Sequence, residues 1–202
     1  MKRDGLVDAV VTTASFFDRY RRPLVVLAAA VAVAAVIFAV FSYRASSRAV
    51  AAVGAFSTAR TVEELTAVYE NYPQTPTAPL ALIQAGAFAF NRGEYSPARN
   101  YYLLFQENYP GHILADYAQM GIAASLEAES RWDEALEAYD RLAALYPDSV
   151  LVAQAHFNRG RCLRAAEDTE GARREFQTVF ERYPQNPYAF LAREEWVALG
   201  YQ

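Results

Sequence analysis

Side chains able to do nucleophilic or acid–base chemistry are few in this chain of 202 residues, which has two histidines and one cysteine. A cysteine beside a histidine could act as a nucleophile, because the imidazole can take the thiol proton. His156 and Cys162 are six residues apart on a predicted helix, so they do not share a face. We therefore expect Cys162 to be a small buried hydrophobic residue and His156 a partly buried replacement for an aromatic side chain.

Motifs for metal, phosphate or cofactor binding are missing from the sequence. It contains no His-Glu-x-x-His zinc motif, no glycine-rich phosphate loop and no Cys-x-x-Cys pair. Its carboxylates are explained by a solvated helix face, as for Glu127, Glu129, Asp133, Glu134 and Glu137. The sequence thus predicts a protein that is not an enzyme, with no catalytic residues, no cofactor, no metal site and no small-molecule substrate.

The elements that carry these residues are organised by an internal repeat. Tyr-Pro occurs at residues 72–73, 109–110, 146–147 and 183–184, always 37 residues apart. The same step links three further columns of apolar residues, namely Ala98, Ala135 and Ala172; Leu65, Tyr102, Tyr139 and Phe176; and Val68, Phe105, Leu142 and Val179. A fixed period of this length indicates a repeat architecture built from one supersecondary unit.

Residues 79–112 show how one unit is built. Leu82, Ala85, Gly86 and Ala89 follow the spacing of an amphipathic helix. Gly93 suits a left-handed turn after that helix. Ser96 and Pro97 then predict the N-cap and first residue of a second helix, with Asp133 as the equivalent cap one unit later. Each unit is therefore a pair of helices.

This pattern resembles the tetratricopeptide repeat, whose signature is a small residue, then Ala, an aromatic and Pro. The matching sets are Gly86, Ala98, Tyr102 and Pro110; Gly121, Ala135, Tyr139 and Pro147, with two extra residues between Gly and Ala; and Gly160, Ala172, Phe176 and Pro184. Leu82, Tyr117 and His156 stand where the family often has Trp. The resemblance implies an all-α solenoid of about three full helix pairs.

Two further helices complete the predicted array. Thr61 and Glu64 form a capping-box pattern before a helix from about Val62 to Tyr72, which is the second half of a partial first unit. After Pro187 a last helix runs to Leu199, and its stripe of Ala189, Ala192, Trp196 and Leu199 is expected to cover the end of the stack.

A membrane segment precedes the array. Leu24 to Phe41 is an apolar run without charge, and eighteen residues of helix span about 27 Å, close to the thickness of a bilayer core. We expect an uncleaved anchor over residues 23–42 and not a secretory signal, because the run is long and lacks a cleavage site at its end. Five Lys and Arg precede the run, so residues 1–22 are expected in the cytosol and residues 43–202 in the periplasm of a bacterium.

The charge of residues 43–202 narrows the class of partner. They carry 14 Lys and Arg against 20 Asp and Glu, a net charge of −6. Nucleic-acid binding needs clustered cations, so this composition favours protein partners over DNA or RNA.

The resemblance also implies where a protein partner would bind. In tetratricopeptide arrays the first helix of each unit lines a groove, which here gives the candidate residues Leu80, Ile83, Ala87, Phe90, Ile122, Phe157, Arg161 and Arg164. The groove is expected to be apolar at one end and basic at the other. Ile83, Ala87, Ala115 and Gln119 occupy places where carboxylate-binding members carry Lys, Asn or Arg, so that type of clamp is absent. The alternative is that Ile83, Phe90 and Phe157 pack against neighbouring helices.

The whole layout resembles the ancillary subunit of the bacterial Sec translocon, an inner-membrane protein with a periplasmic tetratricopeptide domain. That resemblance rests on Arg19-Tyr20-Arg21-Arg22 before the anchor, Tyr43-Arg44 after it, and the Tyr-Pro repeats. It implies a scaffold that recruits translocon subunits or periplasmic chaperones. The layout is also similar to adaptors of cell-wall synthesis and to the outer-membrane assembly lipoprotein, although the latter needs a lipid-modified cysteine. A self-associating structural oligomer is a further alternative.

Overall fold

The computed structural model describes the backbone of residues 4–200 and the side chains of residues 21–200, and this part of the chain is helical with short turns. The helices are α1 (Asp4–Thr58), α2 (Val62–Asn71), α3 (Thr77–Asn91), α4 (Tyr95–Asn108), α5 (Ala115–Ala128), α6 (Trp132–Leu145), α7 (Val152–Ala165), α8 (Thr169–Arg182) and α9 (Tyr188–Leu199). They divide into two compact units, Met1–Val50 and Ala51–Gln202.

The first unit consists of most of α1. Between Arg21 and Thr58 this helix is long and apolar enough to cross a membrane, and its most apolar stretch is fully exposed. Residues such as Val26, Phe38 and Phe41 are 68%, 72% and 72% accessible. This N-terminal helix fulfils the length and composition expected of a membrane anchor.

The second unit is an array in which each helix packs on the next, from α2 through α9. The first helices of the three complete units are α3, α5 and α7, and the second helices are α4, α6 and α8. The columns that recur every 37 residues form its interior: Leu65, Tyr139 and Phe176 are fully buried and Tyr102 is 3% exposed. The predicted all-α solenoid of three pairs, a partial first unit and a terminal helix is confirmed.

Helix starts agree with the sequence at one end of the array and differ within it. Before α2, Thr61 Oγ1 accepts the backbone N–H of Glu64, and the Glu64 carboxylate accepts the N–H of Thr61, which is the predicted capping box. The predicted caps Ser96 and Asp133 are wrong, because α4 and α6 begin one residue before each of them, at Tyr95 and Trp132. Neither helix has a side-chain hydrogen bond at its cap, and the preceding turns are held by backbone hydrogen bonds from Glu94 N–H to Ala89 and from Arg131 N–H to Leu126.

The turn between the two helices of each unit requires a left-handed residue. Gly93 has φ of 79°, as predicted, and the residues 37 and 74 positions later, Ser130 and Glu167, have φ of 57° and 67°. The backbone geometry is thus repeated even where the sequence does not supply glycine.

Helix α9 covers the end of the array as expected. Ala189, Ala192 and Leu199 are buried against the preceding helices, and Trp196 is partly buried. The rings of Phe180 and Trp196 meet edge to face at 6.0 Å.

Candidate partner-binding groove

The face formed by the first helices of the array is the candidate groove. Besides packing on their sequence neighbours, α3 contacts α5, and α7 contacts α9, which takes the place of a further first helix. The most exposed column on this face is apolar: Leu80 on α3, Tyr117 on α5 and Leu191 on α9 are 38%, 42% and 42% accessible. Tyr117 follows Leu80 by 37 residues, and Leu191 follows Tyr117 by 74. The intermediate position of the period is Gln154 on α7, which is partly buried.

The predicted groove residues of α3 are on this face. Leu80 is exposed, while Ile83, Ala87 and Phe90 are half-buried. The ring of Phe90 lies edge-on to Tyr95 of the next helix at 5.2 Å. These side chains contribute to packing and remain partly accessible.

On α5 the structure corrects the predicted register. Gly121 was matched to Gly86, but the residue 37 positions after Gly86 is Ala123, which is fully buried. The consequence is a shift of two residues: Ile122 is 4% exposed and belongs to the core, and Met120, which is 37 residues after Ile83, is also buried. Tyr117, Ala124 and Glu127 are the exposed or partly buried residues left at the shifted groove positions. For the same reason Tyr117 does not stand where the family often has Trp. The buried Gln119 is at that position, 37 residues after Leu82.

Gly121 has a different role from the one its match to the signature suggested. A Cβ placed on Gly121 would lie 2.4 Å from Cε2 of Tyr102, and one on Gly86 would lie 2.7 Å from Cε1 of the same ring. The ring of Tyr102 is therefore held between a glycine of its own unit and a glycine of the next. In the sequence, the sign of this arrangement is that Gly121 lies two residues before Ala123, the position 37 residues after Gly86.

On α7 the predicted residues divide between core and surface. Phe157 is 8% exposed and packs against Tyr188 of α9 at 5.2 Å and Phe176 of α8 at 5.6 Å between ring centroids. This burial favours the packing interpretation for Phe157. A cleft of about 290 Å³ remains beside it, lined by Phe157, Leu191, Glu194, Glu195 and Ala198.

The two arginines of the groove are paired, which changes the expected charge of that end. Arg161 Nη2 lies 3.3 Å from Glu127 Oε1, and Arg164 pairs with Glu195 of α9. Each pair joins successive first helices of the array. The end of the groove that was expected to be basic therefore carries mixed and locally balanced charge.

Glu127 also anchors a buried polar network beneath the groove. The hydroxyl of Tyr139 donates to Glu127 Oε2 at 2.6 Å and accepts from Asn158 Nδ2 at 3.2 Å. Burial, together with the charge of Glu127, raises the pKa of Tyr139 far above its usual value. This tyrosine stays protonated and fixes the carboxylate that Arg161 contacts.

The histidines and the cysteine lie within the packing of the array. His156 Nδ1 lies 2.8 Å from Glu175 Oε2, whose other oxygen lies 3.0 Å from Arg159 Nη1. His112 is half-buried, and its Nδ1 accepts the backbone N–H of Leu114 at 3.2 Å. Cys162 is fully buried, and burial raises the pKa of its thiol to about 12.

Neither the histidines nor the cysteine belongs to a metal cluster in the part of the chain that the structure describes. No group of three or more His, Cys, Asp or Glu side chains there is placed to hold a metal ion. The chemistry offered by the groove is therefore that of apolar contacts and paired charges.

Comparisons with known proteins agree with this architecture. The tetratricopeptide repeat family model matches residues 115–185. The first tetratricopeptide domain of human RPAP3 is 20% identical, with a TM-score of 0.51, over 61% of this chain and 90% of that one. The first such domain of Spaghetti (RPAP3), bound to the HSP90 peptide SRMEEVD, gives the same values.

A bacterial structure is similar in the same way. A tetratricopeptide repeat protein from Parabacteroides merdae is 17% identical, with a TM-score of 0.55, and the match covers 68% of this chain and 52% of that one. No curated protein sequence matches the chain. The family match over residues 115–185 and these structural likenesses show that the chain has a tetratricopeptide-type fold.

Proposed function

We propose that this protein is a non-enzymatic, membrane-anchored scaffold whose groove binds a protein segment through apolar side chains. The observation that carries this proposal is the exposed column of Leu80, Tyr117 and Leu191 on successive first helices. An exposed apolar row on a rigid array is typical of a protein interaction site. The structurally similar domain of Spaghetti, bound to the HSP90 peptide SRMEEVD, is an example of such an array that binds a peptide.

The partner we propose is an apolar or amphipathic segment and not a free carboxyl terminus. The groove cations Arg161 and Arg164 are already satisfied by Glu127 and Glu195. A carboxylate would have to displace these pairs, and breaking the pair of Arg161 would leave the largely buried Glu127 without its partner. Leu80 and Tyr117, by contrast, can gain buried area without any such loss.

We further propose that residues 23–42 span the inner membrane of a bacterium, with residues 1–22 in the cytoplasm and residues 43–202 in the periplasm. The long apolar helix α1 supports a membrane span, and the cluster of Arg19, Arg21 and Arg22 before it supports this orientation. Labelling of single cysteines placed at residue 12 or residue 145 in intact cells would test the orientation. Labelling of residue 12 from the outside would contradict it.

Within that setting, recruitment of periplasmic chaperones or other proteins to the Sec translocon is the function we propose. The order of tail, anchor and repeat array supports it, because a scaffold at the exit of a translocon needs both a membrane anchor and a protein-binding surface. A role in coordinating cell-wall or outer-membrane assembly would use the same surface and is the alternative that the experiment must separate.

The test is photocrosslinking in intact membranes with a photoreactive residue at Tyr117, which lies on the groove and is 42% accessible. The matched control is the same residue at Leu145, on the second helix α6 and 61% accessible. Capture of translocon subunits or a chaperone at residue 117 but not at residue 145 is expected. Capture of cell-wall synthases or outer-membrane assembly factors would favour the alternative.

A point variant makes the groove prediction independent of partner identity. Replacing Leu80 by Asp places a charge in the exposed apolar column without touching the core, so it should reduce the captured partner at least about tenfold while the melting temperature stays unchanged. Equal capture by Leu80→Asp and the wild-type chain would contradict a groove-bound partner.

A further inference from the structure

Helix α9 presents an uncovered face that shares only Glu194 and Ala198 with the cleft beside Phe157. Phe190, Arg193, Glu194, Val197 and Ala198 line one shallow cleft of about 340 Å³. Phe190 and Val197 are 68% and 41% accessible, although both are large and apolar. This face is separate from the buried stripe of Ala189, Ala192 and Leu199, which faces the preceding helices.

The repeat shows what normally covers this face. The residues 37, 74 and 111 positions before Val197 are Gly160, Ala123 and Gly86, and all are buried. Gly86 and Gly160 lie directly under the aromatic rings of Tyr102 and Phe176, which belong to the second helix of the same unit. No helix follows α9 within the described residues, and none of these residues covers the equivalent surface at Val197.

The side chains on this face form a self-complementary pattern. Phe190, Arg193, Glu194 and Val197 have the spacing i, i+3, i+4 and i+7, so they share one side of the helix. The apolar residues Phe190 and Val197 are at the two ends of this row, and the oppositely charged Arg193 and Glu194 are in the middle. Two copies placed antiparallel would therefore bring Phe190 against Val197 and Arg193 against Glu194, twice each.

We propose that α9 mediates self-association, pairing antiparallel with α9 of a second copy about a two-fold axis between Arg193 and Glu194. Such an isologous contact places the same surface on both copies and closes at the dimer. Arg193 is exposed and lies with its guanidinium carbon 5.2 Å from the ring centre of Phe180, and Glu194 has no ion pair among residues 21–200. A complementary charge is thus available to each from the partner copy.

The dimer is expected to be weak. One helix face from each copy buries an area at the low end of protein interfaces, below about 1,200 Å² in total. We therefore expect a micromolar dissociation constant for the purified chain in detergent. Attachment of both copies to one membrane would raise their effective concentration.

The first test is a charge exchange in the full-length chain, with oligomeric state measured by sedimentation in detergent. Arg193→Glu and Glu194→Arg should each weaken the dimer at least about tenfold, because like charges then face each other. The double variant, which exchanges the two charges, should return to within about threefold of the wild-type dissociation constant. Arg141→Glu is the control, since Arg141 is an exposed cation on α6 away from this face.

The second test reads the orientation. Phe190→Cys and Val197→Cys chains should crosslink faster when mixed than either chain alone, because the antiparallel pairing brings residue 190 of one copy to residue 197 of the other. Cys162 is fully buried and supplies little background.

Three outcomes would overturn the proposal. A monomeric wild-type chain at concentrations up to about 1 mM is one. A dimer that Arg193→Glu leaves intact is another, since it would place self-association elsewhere, such as along the apolar part of α1. Binding of a different protein to the α9 face in preference to a second copy is the third. None of these outcomes bears on the groove of Leu80 and Tyr117, whose test is separate.

Discussion

At the scale of single residues, the packing of the buried aromatic rings depends on glycines in the helices that face them. The ring of Phe176 is fully buried, and a Cβ on Gly160 would lie 2.6 Å from its Cε1 atom. The ring cannot move away, because it also packs against Phe157. Glycine is therefore required in this helix although it is a poor helix former.

Gly160→Ala is expected to destabilise the fold. Alanine adds up to about 1 kcal/mol of helix propensity, but overpacking a filled core costs about 1–3 kcal/mol and prevails. The matched control is Gly54→Ala on α1, where nothing lies within 4 Å of the new Cβ and the free energy of unfolding should rise. Urea unfolding measures the change in the free energy of unfolding for each variant, which should be a decrease for Gly160→Ala and an increase for Gly54→Ala. An increase for both variants would contradict the ring contact.

The buried thiol and phenols predict how stability depends on pH. Burial raises the pKa of Cys162 to about 12 from its usual 9.0 and raises the pKa of Tyr102 and Tyr139 as well. These groups stay protonated in the folded chain and ionise in the unfolded chain, so their contribution is complete below about pH 9 and is lost as pH rises towards 12. The free energy of unfolding should therefore fall above pH 9.

Denaturant titrations between pH 8 and pH 11 check this dependence. Cys162→Ala removes one of the ionising groups, so the free energy of unfolding should decrease less steeply with pH. This holds whatever the substitution does to the stability at pH 8. A free energy of unfolding that is constant over this range would contradict the protonated state of these buried groups.

Residue types that recur with the period were predictable from the sequence, and contacts between distant residues were not. The buried positions of Tyr102, Tyr139 and Phe176 followed from spacing alone. The register of α5 was misplaced because Gly121 resembles the family signature, whereas the constant step of 37 residues points to Ala123. The pairs of Arg161 with Glu127 and Arg164 with Glu195 join helices that are far apart in sequence, and no local pattern indicates them.

At the scale of elements, each helix pair depends on one left-handed turn residue. Gly93 adopts it without strain, but Ser130 and Glu167 adopt φ of 57° and 67° with a side chain present. Left-handed backbone costs a non-glycine residue about 1–2 kcal/mol. The second and third units therefore store strain that the first does not.

Glu167→Gly is expected to stabilise the chain by about 0.5–1 kcal/mol, the relief of strain less the greater freedom of glycine in the unfolded chain. Glu167→Ala removes the same exposed side chain and keeps the strain, so it should bring no comparable gain. Gly93→Ala should lower stability. Thermal unfolding of the three variants gives the order, and an equal effect of Gly and Ala at residue 167 would contradict it.

Helix positions were predicted more closely than helix caps. The 37-residue period and the apolar stripes predicted the helix pairs and the last helix, and the capping box at Thr61 is confirmed. At the start of α8, Asp168 accepts the backbone N–H of Gly171 at 2.8 Å, a cap that the repeat pattern does not indicate. Tight turns offer several polar residues in succession, and which one caps depends on backbone angles that the sequence pattern does not contain.

At the scale of the whole array, two hydrophobic clusters meet on α7. The first extends from Ala59 to Cys162, and the second contains Phe157, Phe176, Val179, Ala192 and Leu199. In a repeat protein, stability is close to a sum of units and their interfaces, so the two clusters can open separately.

Phe176→Ala is therefore expected to act locally. It removes the centre of the second cluster, at a cost of about 3–5 kcal/mol. Hydrogen exchange should then show faster exchange in α8 and α9, while amides of α3 and α4 keep their protection. Tyr139→Phe, which removes only a hydroxyl from the first cluster, is the comparison. A uniform loss of protection along the array would contradict separate clusters.

The side-chain contacts between successive units differ from one junction to the next, although the backbone geometry is repeated. Tyr102 needs the bare Gly121 of the following unit, whereas Tyr139 needs an amide at the equivalent place, Asn158, as a donor to its hydroxyl. Glu195 holds that place on α9 and binds Arg164 instead. A unit copied or moved as a 37-residue cassette would bring the wrong residue to its neighbour. The array therefore resists lengthening by simple duplication, and any engineered extension must redesign both surfaces of each new junction.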